Sequence, residues 1–157
     1  LVRPLLLSHR GGGDPVALEA NERELAYQLA PIKSDIDLRT YMTKSRGKDN
    51  PLNLLTPGAR QRFVQSLVFT DKGLASFDYR DIQAELSASQ AYQLLQLFGA
   101  QRTTRAIRGL RADTPADFMI LSWGDQYSVI GDYNNYYCRS RATCAGQVGS
   151  ICIGANC

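Results

Sequence analysis

Cysteine is missing from the first 137 residues of this 157-residue chain, and then four occur in the last twenty: Cys138, Cys144, Cys152 and Cys157. Histidine is nearly absent as well, since His9 is the only one and it lies just before Gly11-Gly12-Gly13. With no histidine in the body of the chain and no Gly-x-Ser-x-Gly elbow, a nucleophile–imidazole triad has nowhere to form. A lysine or carboxylate base stays open. No apolar run approaches the ~20 residues of a membrane-spanning helix; Leu5-Leu6-Leu7 and Phe118-Met119-Ile120-Leu121 are among the longest. No Asn-x-Ser/Thr acceptor occurs, so nothing points to a glycosylated secretory product.

What is present is an ordinary globular balance: 44% hydrophobic residues, 21% charged and a net charge of +3. A chain of this length buries roughly 68–70% of its unfolded surface, enough for one core without covalent help. The mild positive charge suits an anionic partner without requiring one. The chain begins at Leu1 rather than methionine, so any export signal would lie upstream of it.

The cysteine spacing is Cys-x5-Cys-x7-Cys-x4-Cys. Structural zinc sites bring a first ligand pair two to four residues apart, and dithiol redox sites use Cys-x-x-Cys; neither pattern is met. Two disulfides in a segment rich in glycine and alanine are the physical solution, which places the protein in an oxidising compartment: bacterial periplasm, cell surface or medium. Sequence leaves the three pairings open, with a slight preference for nested Cys138–Cys157 and Cys144–Cys152.

Ahead of the cysteines, cap signals punctuate the chain. Residues 1–13 read as a flexible arm. Asp14-Pro15 opens a helix that Pro31 ends, Ser34 caps a second through about Ser45, and Thr56-Pro57 opens a third that stops near Asp71-Lys72-Gly73. A helix from about Phe77 to Leu86 follows. Ser87 and Gln90 form a capping box for another, with Ala91, Leu94, Leu95 and Phe98 on its apolar stripe and Gly99 at its end. A basic helix covers Gln101 to Arg108. From Thr114 the signals conflict: "TPAD" reads as a helix start, whereas "FMILSW" and "YSVIGDY" read as two short strands about a turn. The fold expected is mostly α, a compact bundle of five or six short helices over 14–137, with room for one small hairpin and a disulfide-stapled tail over 138–157 packed on the same domain.

Three constellations invite a chemical reading. Asp78, Asp81 and Glu85 would share one helix face, a candidate carboxylate set for glycan or peptidoglycan hydrolysis, although glycosidases need two acids facing across a cleft. The same segment is not a calcium loop, because Gly73 follows Asp71 with only Lys72 between. Arg102, Arg105, Arg108 and Arg111 recur every third residue, which on a 3.6-residue helix winds a basic band around the surface for an anionic envelope or glycan partner. Trp123, Tyr127, Tyr133, Tyr136 and Tyr137 gather before Arg139 and Arg141, amphipathic rings beside two guanidinium groups.

The expected function is that of an exported bacterial protein, non-enzymatic, that binds another macromolecule as an inhibitor, immunity or accessory factor. Tyr133, Tyr136, Tyr137, Arg139 and Arg141 form its contact surface, and Arg102, Arg105 and Arg108 come second. No cofactor, metal or nucleic acid enters this reading. The alternatives are the carboxylate hydrolase and a carrier that releases 138–157 as a disulfide peptide.

Overall fold

The computed structural model describes residues 14–45, 47, 49–122 and 131–157. The arm, with His9, lies outside the described residues, as do Trp123 and Tyr127.

Local capping chemistry sets the helices. The Asp14 carboxylate accepts the Val16 and Ala17 N–H groups at the start of α1 (Pro15–Leu29), and the Ser34 hydroxyl accepts the Asp37 N–H of α2 (Asp35–Lys44). A 3-10 turn, Pro51–Leu54, leads to α3 (Pro57–Ser66). The chain then leaves helical geometry well before Gly73. Val68–Thr70 is strand β1 and Gly73–Asp78 is strand β2, paired antiparallel around Asp71-Lys72. Short helix α4 (Arg80–Glu85) precedes α5 (Ala88–Gln96), where Ser87 and Gln90 close the capping box. A 3-10 turn, Gln101–Ala106, and helix α6 (Pro115–Leu121), with its own Thr114/Asp117 capping box, complete the helical part. Strands β3 (Asp132–Ser140) and β4 (Thr143–Ile153) form a long hairpin.

The strands make one antiparallel sheet in the order β1-β2-β4-β3. The mostly-α bundle is thereby overturned: the molecule is α+β, and its carboxyl end supplies half of the sheet. Phe77 sits in β2, not in a helix, and the helix placed over Phe77–Leu86 shrinks to α4. Strand β2 gives no alternating pattern because it is central to the sheet and buried from Gly73 to Phe77. Phe118–Leu121 belongs to α6, so the strand reading of that stretch fails too.

The main core joins the helices to one side of the sheet. Phe63 of α3 meets Phe77 and Phe98 edge-on at 6.0 and 5.9 Å, surrounded by Ile32, Leu52, Leu74, Ile82, Leu94, Leu95, Ile151 and Ile153. Each aromatic contact of this kind adds about 0.5–1.5 kcal/mol beyond area burial. Cys152, between Ile151 and Ile153, turns to the opposite side and joins a second, sulfur-rich cluster with Ala75, Cys138 and Cys157. Both disulfides are formed, Cys138–Cys157 and Cys144–Cys152, the nested pairing.

Candidate functional site

The carboxyl-terminal hairpin is irregular where it is most exposed. Between Asn134↔Ile151 and Tyr136↔Gly146 the register slips, so Gln147-Val148-Gly149 bulges out of β4 opposite Asn135. Asn135 holds the bulge from a left-handed conformation, φ 69°, that Asn tolerates better than most residues. Its side-chain oxygen accepts the Gly149 N–H and the Tyr79 hydroxyl, both at 3.1 Å. The Gly149 carbonyl in turn accepts the Tyr79 N–H. Val148 is left at the crest, 80% exposed.

The facing strand β3 exposes two tyrosines. Tyr133 and Tyr136, 49% and 43% exposed, meet edge-on at 6.2 Å. The Tyr133 ring lies over Gly131 and Gly154, where an added Cβ would come within 2.8 and 2.7 Å of neighbouring atoms. Tyr137 is half-buried. Arg139 and Arg141 project from the hairpin end, the latter 3.7 Å from Asp71 in an exposed pair worth little in water. Residues 133–157 contain these two arginines and no lysine or acid. The turn itself is tied down: the Ala142 N–H donates to the Cys157 carbonyl at 2.7 Å, and the Thr70 hydroxyl donates to the Asn156 carbonyl.

The arginines of the sequence reading divide. In the 3-10 turn three residues make one revolution, so Arg102 and Arg105 fall on the same side instead of winding round. That side faces Glu19 of α1, which is fully buried. Arg102, Arg105 and Arg23 all donate to its two oxygens, Arg105 at 2.6 Å. Arg23 also grips Asp132 with both amino groups, at 2.9 and 2.7 Å, fastening α1 to the start of β3. Burial alone would raise the Glu19 pKa, but the hydrogen bonds from Arg102, Arg105 and Arg23 override it and hold the group at about 2. Arg108 is exposed, and Arg111 pairs with Asp113 while donating to the Glu85 carbonyl.

The three carboxylates do not share a helix face. Asp78 ends β2 and pairs with Arg80 at 2.6 Å; Asp81, in α4, receives both ends of the Arg62 guanidinium at 3.0 and 2.9 Å. Glu85 accepts the N–H and hydroxyl of Thr56, anchoring the start of α3. The guanidinium of Arg80 is the chief influence holding Asp78 below the usual carboxylate range against its partial burial. Each acid is thus engaged with a neighbour on the helical side rather than facing another acid across a gap.

Sequence reasoning missed Val148, Asn135 and Glu19. The first two carried a weak signal, an apolar residue lying between Gly146 and Gly149 and an Asn-Asn pair prone to positive φ. Glu19 carried none, because its three partners come from 4 to 86 positions away. The chain matches no protein-family model, and no curated protein or solved structure matches it significantly.

Proposed function

We propose that this protein is an exported, non-enzymatic recognition factor whose stapled hairpin docks onto an acidic face of another protein. Two disulfides, with no helix among the described residues long and apolar enough to cross a membrane, support an extracytoplasmic location. The observation that carries the reading is that Val148, Tyr133, Tyr136, Arg139 and Arg141 are all exposed on one doubly bridged hairpin. Aromatic rings and arginine on a rigid support contribute most of the affinity at protein interfaces, because little side-chain or loop entropy is lost on binding. The absence of acids from 133–157 favours an acidic counter-surface. The carrier alternative gains no support from the fold, since releasing 138–157 would remove β4 from between β2 and β3.

Photo-cross-linking in the native envelope or medium tests the proposal. A benzophenone amino acid at Tyr136 or Val148 is expected to trap the same discrete protein, with yield lost in Arg139→Ala/Arg141→Ala, whereas a probe at Met119 on α6 traps nothing above background. Equal trapping from Met119, or full yield in the double variant, would overturn the reading.

A further inference from the structure

Of the four sulfurs that look unsuited to metal in sequence, three are gathered in space and the fourth, that of Cys138, is bonded to one of them. The Sγ atoms of Cys144, Cys152 and Cys157 lie within 4.8 Å of one another, two belonging to the Cys144–Cys152 bridge and one to Cys138–Cys157. Cys138, bonded to Cys157, faces Cys144 directly across the β3–β4 ladder. A tetrahedral zinc thiolate has Zn–S bonds of about 2.3 Å and hence sulfurs about 3.8 Å apart. We propose that, once reduced, Cys138, Cys144, Cys152 and Cys157 form a tetrathiolate site for Zn2+ or a similar thiophilic divalent ion, so that the hairpin exchanges a covalent staple for a metal one.

Three observations support it. The backbone positions the sulfurs by means other than the bridges: Cys152 is laddered to Ser76, Cys138 to Cys144, and Cys157 is held by its N–H on the Ile153 carbonyl and its carbonyl on the Ala142 N–H. The thiols therefore remain neighbours when the S–S bonds open. A shallow cavity of about 470 Å³, walled by Tyr133, Gly131, Gly154 and Ala142, opens onto Cys144 and Cys157, one sulfur of each bridge, and gives reductant and ion a path. Finally, the Ser76 hydroxyl is buried and has no hydrogen-bond partner among the described residues. Ser76 stands directly opposite Cys152, on the same side of the sheet. A thiolate there would accept a hydrogen bond from that hydroxyl, the outer contact that metal-bound sulfur ordinarily receives.

Each bridge takes up two electrons and two protons to give two thiols, so two equivalents of a dithiol reductant open both and are themselves oxidised to disulfides. The entering ion displaces up to four protons to solvent as the thiols become thiolates.

The test is anaerobic titration of Co2+ into the fully reduced full-length chain. One equivalent is expected to produce the visible d–d bands and the sulfur-to-cobalt charge-transfer absorption of a tetrahedral thiolate centre. One equivalent of Zn2+ should bleach them, and they should be missing from the oxidised chain, from Cys144→Ser/Cys152→Ser and in denaturant. If reduction loosens the chain, Zn2+ is expected to restore its near-ultraviolet circular dichroism. Absence of the bands, equal bands in denaturant, or a reduced chain that Zn2+ fails to reorder would each overturn the proposal.

Discussion

Glu19 has no exposure to water, and three guanidinium groups share its two oxygens. Removing that charge strands the arginines with one fewer counter-ion, so Glu19→Gln is expected to lose about 3–5 kcal/mol in urea unfolding. The same group sets an acid limit. Its folded pKa of about 2 lies below its ordinary 4.5, so the unfolded chain takes up the proton first. The stability it confers is complete above about 4.5 and declines as the pH falls toward 2, by about 3 kcal/mol in all. Glu19→Gln should flatten the stability profile across that window, measured by denaturant titration at each pH. Asp117 is a second buried carboxylate. Ser89 is the chief influence holding it far below the usual range, helped by the N–H groups of Asp113 and Thr114. Substitution by Ala orphans those donors; a loss of about 2–3 kcal/mol is expected in the same assay.

Elements joined by short-range chemistry are the ones the sequence reveals. Asp14-Pro15, Ser34 and the Ser87/Gln90 box mark the true starts of α1, α2 and α5, because capping is decided within four residues. Thr56 marks the start of α3 equally well, yet its hydroxyl serves Glu85 instead of the helix. The sheet is less legible. Strand β2 is buried without alternation, and β4 carries glycines at 146 and 149 that mimic a structureless tail until Asn135 and Tyr79 are brought alongside. The same limit applies to the site: the tyrosines and arginines of the hairpin were readable as residue types, whereas the bulge that raises Val148 arises from pairing.

At Gly99, which ends the α5 turn with φ +68°, an added Cβ would sit 2.8 Å from the Ala26 carbonyl oxygen and the Tyr27 Cα. Gly99→Ala must therefore push α1 off α5, and a loss of more than about 2 kcal/mol is expected in thermal unfolding. The two bridges should differ in worth. Cys138–Cys157 spans 19 residues and Cys144–Cys152 spans 8, so chain entropy assigns them about 3 and about 2.5 kcal/mol. Paired Cys→Ser variants compared by guanidinium unfolding check the order.

As a whole, the molecule presents helices on one side of its sheet and sulfur on the other. The hairpin is fastened to the helical part at the Arg23–Asp132 clamp, at Tyr79–Asn135 and at Asn134, which donates to the Ala106 carbonyl. These ties let a force on the hairpin reach α1 directly. Exposed apolar residues also occur away from the hairpin, at Leu25 and Leu29 of α1, Ile36 of α2 and Phe118 and Met119 of α6. They compete with the hairpin as docking candidates on area alone, but they lack its covalent rigidity. Amide hydrogen exchange of the protein with and without its cross-linked partner decides between them. The account predicts added protection across residues 133–148 with α1 and α6 unchanged; protection on α1 or α6 with the hairpin exchanging as in the free protein would contradict it.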